Sequence, residues 1–235
     1  MKISVKLFAR LRELAGAPSL TCEVAENVTV AEFIQQLQLD YPKLATVTAS
    51  AIVSVNRDFV DEETRLSAGD EVALFPPVSG GSGAQAEPTN FAITLEPIDL
   101  NVMQAKVLKP ETGAVAVFSG VVRNVSGDKE VDHLEYEAYE AMAVEKLRQV
   151  AAEARQQWPK IVEIAIVQRI GHLKVGENAV AVAVSSPHRG DGCFEACAYA
   201  INRLKEIVPI WKKETGPDGS QWIEGDYLPS SRDAG

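Results

Sequence analysis

The stretch Ser82 to Asn90 (Ser-Gly-Ala-Gln-Ala-Glu-Pro-Thr-Asn) limits most sharply what this chain can fold into. It is small, polar and Gly/Pro-containing, shows no apolar periodicity, and reads as a flexible linker. Fully extended it reaches about 30 Å, enough to join neighbouring domains but not to wander far. A break of that kind asks each flank to bury its own apolar surface. With 235 residues, 46% of them hydrophobic, the chain has material for two cores of ordinary domain size. The division expected is therefore residues 1–81, a linker over 82–90, and residues 91–235.

The first segment opens with Ile3, Val5 and Leu7 alternating with Lys2, Ser4 and Lys6, the period-2 pattern of a strand with one buried face. Arg10 to Gly16 follows as a short helical turn or loop, and Ser19 to Val24 as a returning strand. Thr29 and Glu32 form a capping box, and Val30, Phe33, Ile34 and Leu37 continue as an apolar stripe that ends before Pro42. Ala51 to Asn56 is a strand, Arg57-Asp58 a turn and Glu71 to Phe75 the last strand. Strand, strand, helix, strands is the order of a β-grasp. Beyond the linker, strands are expected at 91–95, 114–122, 133–139, 162–169 and 179–185, and helices at 100–107, 141–158 and 194–208. That segment is an α+β domain.

No apolar run approaches the ~20 residues a membrane span needs, and the alternating N-terminus lacks the apolar centre of a signal peptide. A cytoplasmic protein is the expectation. The formal charge of −10 argues against general nucleic-acid binding while leaving room for one local basic pocket. Cys22, Cys193 and Cys197 are too few and scattered for a disulfide framework. Cys193 and Cys197 share a helix face, but no second pair completes a zinc site, so packed core thiols are expected.

Three features carry chemistry. Gly80-Gly81 ends the first segment, and two glycines can thread a narrow active site. As translated, Gly81 is followed by Ser82 and bears an amide, not a free carboxylate. The loop Ser185 to Gly192, with His188 and Arg189, lies between a strand and a helix start, where backbone N–H groups, the macrodipole and an Arg suit a phosphate. A surface loop whose Arg pairs with a carboxylate fits the same pattern, and spacing alone leaves both open. Lys205 and Lys212 can converge from a helix end and the following strand. A lysine near other cations has lowered proton affinity and can serve as nucleophile or acid/base, although lysine clusters are commonly solvated faces. His133 at a strand start, His172 in the turn Gly171-His172-Leu173, Trp211 and Trp222 are read as structural.

The runs Val117 to Asn124, Leu134 to Tyr139, Pro187-His188-Arg189 and Leu204 to Glu214 occur in one order. Together they resemble the large, catalytic subunit of molybdopterin synthase over nearly all of residues 91–225. Residues 1–81, with Phe75 to Gly81, resemble its small sulfur-carrier subunit. The resemblance implies a ubiquitin-like β-grasp domain followed by an α/β-hammerhead-type catalytic domain. It implies a sulfurtransferase of molybdenum cofactor biosynthesis that binds no permanent cofactor. An adenylating and sulfurating enzyme would convert the carrier's terminal glycine, here Gly81, to a thiocarboxylate. Two sulfur transfers to cyclic pyranopterin monophosphate would then build the dithiolene of molybdopterin. Arg123, His188 and Arg189 would hold the substrate's phosphate and pterin. Lys205 would be acid/base or transient covalent partner, and Lys212 would lie near the glycine tail. A homodimer through the catalytic domain is implied as well.

Two departures stand out. Asp226 occupies a position, after Trp222-Ile223-Glu224, where the family leads one to expect a basic residue. The fusion blocks adenylation of Gly81 unless the chain is cut there, and the flexible stretch that follows suits a cut. A competing reading is a ubiquitin-like conjugation or carrier module fused to a non-catalytic binding domain; another is a scaffold that has lost activity. Both leave the retained basic set of Arg123, His188, Lys205 and Lys212 without purpose.

Overall fold

The computed structural model describes residues 1–48, 51–76, 90–223 and 227–233, which fall into two compact units. One comprises residues 1–78 with 224–235, the other residues 79–223.

The first unit runs β1 (Lys2–Leu7), α1 (Ala9–Ala15), β2 (Ser19–Glu23), α2 (Val30–Asp40), a 3-10 turn, α3 (Ala45–Thr48), β3 (Ile52–Val55), β4 (Asp58–Phe59) and β5 (Glu71–Phe75). The sheet order is β2-β1-β5-β3-β4, with β1 and β5 parallel at its centre. Ile3, Val5 and Leu7 face the core as their alternation requires, and pack with Phe33, Leu37, Val72 and Leu74. The Thr29–Glu32 capping box forms, the Thr29 backbone N–H donating to the Glu32 carboxylate at 2.8 Å. Thr29 hydrogen bonds hold the Glu32 carboxyl below its ordinary range. Asn56 and Arg57, both at positive φ, make the β3–β4 turn, so Asp58 is a strand residue and not part of that turn. Phe75, at the end of β5, is fully buried edge-to-face against Phe8 and Phe59. It anchors the strand from which the diglycine segment continues. Gly81 itself lies outside the described residues.

The C-terminal end departs from the expected division at 91–235, because residues 227–233 belong to this first unit. Ser231 donates through its hydroxyl and backbone N–H to the Asp61 carboxylate. Asp233, only 3% exposed, accepts from Tyr227 Oη at 3.1 Å and the Ser230 N–H at 3.0 Å. Periodicity gives no sign of this, since the segment is too short to carry any.

The second unit runs β6 (Phe91–Thr94), α4 (Leu100–Val107), β7 (Ala114–Val121), β8 (Val125–Ser126), β9 (Lys129–Glu130), β10 (His133–Ala138), α5 (Glu140–Gln157), β11 (Glu163–Arg169), β12 (Gly171–Lys174), β13 (Asn178–Ser186), α6 (Cys193–Ile207), β14 (Ile210–Gly216) and β15 (Gly219–Ile223). One sheet has the order β6-β11-β13-β7, a second β12-β10-β14-β15, and β8 with β9 forms a ribbon. α5 and α6 pack together, and α6 also covers β13 and β7. Glu153 on α5 joins the helices, accepting from Tyr199 Oη at 2.6 Å and Arg203 Nε at 2.8 Å. Partial burial alone would raise the Glu153 carboxyl; hydrogen bonds from Arg203, Tyr199 and Gln149 outweigh it and hold the group below its usual range. Cys22, Cys193 and Cys197 are buried free thiols, as expected, and burial pushes Cys197 up to about 11. Trp211 is a core side chain at 1% exposure. No helix among the described residues is long and apolar enough to cross a membrane.

Candidate functional site

Two clusters of the expected basic residues are formed by α6 and the strands it follows and precedes. The first sits where β13 gives way to α6. Ser186 Oγ donates to the His188 carbonyl at 2.8 Å, and the His188 N–H donates to Asp191 Oδ2 at 3.1 Å. Lys160 Nζ lies 2.7 Å from Asp191, and its proximity holds the Asp191 carboxyl below the usual range. These bonds shape a turn that leaves His188 and Arg189 exposed ahead of a helix of 15 residues. Backbone N–H groups at such a start favour an anion. Two glycines fix the turn. A Cβ on Gly113 would come within 2.1 Å of the Pro187 carbonyl oxygen. One on Gly192, which sits at φ 98°, would come within 2.4 Å of the Trp158 ring.

The second cluster lies at the other end of α6. That helix, about 22 Å long at 1.5 Å per residue, runs back along β13 and places an exposed Lys205 in its last turn. Lys212, third residue of β14, pairs in register with Tyr136 of β10. Tyr136 packs with Val122, Leu134, Leu173 and Ala179, and Val122 is fixed by hydrogen bonds to Glu177 and Gly176. Arg123, the next residue, is exposed beside this cluster.

Lys212 Nζ forms an ion pair with Glu214 Oε1 at 3.0 Å, and Glu214, whose side chain is 13% exposed, also accepts from Ser126 Oγ at 3.1 Å. The arrangement thus differs from a lysine among cations: a carboxylate orients Lys212, because Lys212 and Glu214 alternate onto one face of β14. Burial, then the Glu214 charge, pushes the Tyr136 hydroxyl up to about 12, so it remains a neutral donor beside the pair. Glu214 and Ser126 have no sequence signal of their own. The register of β14, which sequence left as an extended run, is what pairs them with Lys212.

The two clusters do not meet within one chain. Ser186 pairs with Ala114 and Asn178 with Val121, so His188 and Arg123 leave opposite ends of the β7–β13 ladder. Seven rises of about 3.3 Å separate those ends by roughly 23 Å. Arg123, Lys205 and Lys212 share one end; His188 and Arg189 occupy the other. A cleft of about 450 Å³ between the β8–β9 ribbon and the β14–β15 hairpin touches the second cluster only through Glu214. Its charged lining, Lys129 against Glu130, Glu214 and Asp218, has the wrong sign for a phosphate. Gly81 and Asp226 lie outside the described residues.

Comparison with known proteins matches two separate segments of the chain. Residues 5–81 match the ThiS family and residues 93–207 match the MoaE protein family. The molybdopterin synthase catalytic subunit of Bacillus subtilis (strain 168) is 50% identical over 141 residues, which is 60% of this chain and 88% of that protein. The catalytic subunit of Nostoc sp. is 47% identical over 135 residues, covering 57% and 81%. Among solved structures, molybdopterin synthase from Staphylococcus aureus superposes with a TM-score of 0.56 at 45% identity, covering 58% of this chain and 98% of that one. The chain therefore belongs to the molybdopterin synthase catalytic subunit (MoaE) family, with a ThiS-family sulfur-carrier domain fused ahead of the catalytic one.

Proposed function

We propose that the chain acts as a self-contained molybdopterin synthase, in which Gly81, freed by cleavage and converted to a thiocarboxylate, donates sulfur to cyclic pyranopterin monophosphate. The observation that carries this reading is the conjunction of a ThiS-family segment ending at Gly80-Gly81 with a catalytic-subunit domain in one polypeptide. Arg123, His188 and Arg189 bind the phosphate and pterin. Lys205 moves a proton at the reacting carbon or bonds to it transiently, and Lys212, oriented by Glu214, meets the incoming tail. After transfer, water takes the place of sulfur on the Gly81 carbonyl and regenerates the carboxylate. Intact-mass analysis of protein from its native host tests this. The expected result is an N-terminal fragment ending at Gly81, part of it one oxygen-to-sulfur exchange heavier. Active material consisting of full-length chain alone refutes cleavage.

The separation of the basic clusters supports a homodimer in which one copy's His188 and Arg189 complete the pocket formed by the other's Arg123, Lys205 and Lys212. Mixing chains bearing Lys205→Ala with chains bearing His188→Ala, assayed at a substrate concentration too low to fill a site that lacks His188, then restores about a quarter of wild-type activity. Half the dimers formed by random exchange are mixed, and each mixed dimer has one intact site of two. A mixture as inactive as its components places both residues in one copy's pocket.

A further inference from the structure

Outside both clusters, β10 and β12 bring together a set of side chains that the sulfur-transfer reading does not use. His133 and Glu135 are two apart on β10 and so share a face, and Glu135 lies directly opposite His172 on the edge strand β12. One ligand atom from each of His133, Glu135 and His172 falls within 4.8 Å of the others. The two imidazole rings are 4.2 Å apart, tilted by 35°. Glu135 and His172 are exposed and His133 is half-buried. The expectation that His172 sits in a turn is corrected here. Gly171, at φ 74°, already opens β12 just after β11 ends at Arg169, so His172 lies in a paired strand.

We propose that His133, Glu135 and His172 form a mononuclear site for a borderline divalent transition ion, with Zn²⁺ the natural occupant. Two imidazole nitrogens and one carboxylate oxygen are the donor set such ions select, and three protein ligands leave a fourth position for water. Tetrahedral coordination at about 2.0–2.1 Å sets ligand atoms roughly 3.3 Å apart. From a spacing within 4.8 Å, small χ rotations of the exposed Glu135 and His172 suffice to reach it. Hard cations such as Mg²⁺, which prefer oxygen donors, are excluded by the same set. The neighbours on this face are Lys174, opposite His133, and Lys213, opposite Glu135. Lys213 lies over the Trp222 ring, 5.5 Å from its centre.

The site is separate from the catalytic cluster. Tyr136 and Leu134 alternate with the ligands and point to the opposite face of β10, the face shared with Lys212 and Glu214 in register. A bound ion also ties β12, which among the described residues has a sheet neighbour on one side only, to β10.

The test uses tag-free full-length protein. Titration with Zn²⁺, followed by competition with a chromophoric chelator, is expected to show one ion per chain. Co²⁺ is expected to give the visible bands of a low-symmetry site and to be displaced by Zn²⁺. His133→Ala and His172→Ala each weaken binding by at least about 100-fold, since each removes one of three ligands. His188→Ala, which removes the remaining histidine, leaves it unchanged. Imidazole NMR signals of wild-type protein provide a readout that needs no variant: those of His133 and His172 shift together and saturate at one equivalent of Zn²⁺. Absence of saturable binding, binding unaltered in the His133→Ala/His172→Ala variant, or shifts confined to His188 overturn the proposal. None of these outcomes bears on sulfur transfer, which uses the other face.

Discussion

Lys205→Ala is expected to lower single-turnover formation of molybdopterin by about 10²–10⁴-fold, the range lost when a positioned acid/base is removed. The substitution tests chemistry and not folding. Lys205 is exposed in the last turn of α6, and the apolar contacts of that helix come from other residues, Ala196, Cys197, Ala200, Ile201 and Leu204 among them. Truncation there costs at most the fraction of a kcal/mol that a cation contributes at a helix C-terminus. The assay is made with carrier fragment already thiocarboxylated at Gly81, so that activation does not limit the rate. Thermal midpoint and near-UV spectrum should match wild type. His188→Ala and Arg189→Ala should instead raise the substrate concentration needed for half-saturation, because their exposed place ahead of α6 suits binding. Wild-type turnover by the Lys205→Ala protein moves the acid/base role to another residue.

Gly113→Ala should produce the largest loss of stability, about 2–4 kcal/mol, as overpacking against fixed backbone does. For a domain of this size that lowers the thermal midpoint by roughly 5–15 °C. The added methyl meets the Pro187 carbonyl oxygen at 2.1 Å, and that oxygen is main chain, with no rotamer by which to withdraw. The Gly113 N–H also donates to the Ser186 carbonyl at 3.0 Å, so relief by moving Gly113 breaks the bond that starts the β7–β13 ladder. Relief by moving Pro187 displaces His188 and Arg189, which on the proposed binding role would weaken substrate binding along with the fold. Gly190→Ala in the same turn is the control, since an added Cβ there meets nothing within 4 Å. Differential scanning calorimetry of both variants decides the matter, and equal midpoints would remove Gly113 from the account.

Much of this architecture is legible in the sequence because its signals are local. The capping box at Thr29 and Glu32, the alternation of Ile3, Val5 and Leu7, and the stripe on α6 each follow from neighbours within a few residues. What escaped depends on pairing between distant segments. His172 looks like a turn residue until β12 is seen to pair with β10, and the exposed strand β15 has no apolar pattern to announce it. The same limit explains the site. The sequence lists Arg123, His188, Lys205 and Lys212 as one basic set, but only the antiparallel register of β7 with β13 sends the first two to opposite ends.

The return of the C-terminal segment to the first unit changes what a nick after Gly81 would accomplish. With Pro229 and Asp233 buried there, and Ser231 bonded to Asp61, the larger fragment keeps its own last residues built into the smaller one. If the peptide bond after Gly81 is cut as proposed, the carrier fragment would still hold residues 227–233 of the larger fragment within its own folded unit, and that clasp would keep the sulfur donor linked to its catalyst while it is reloaded.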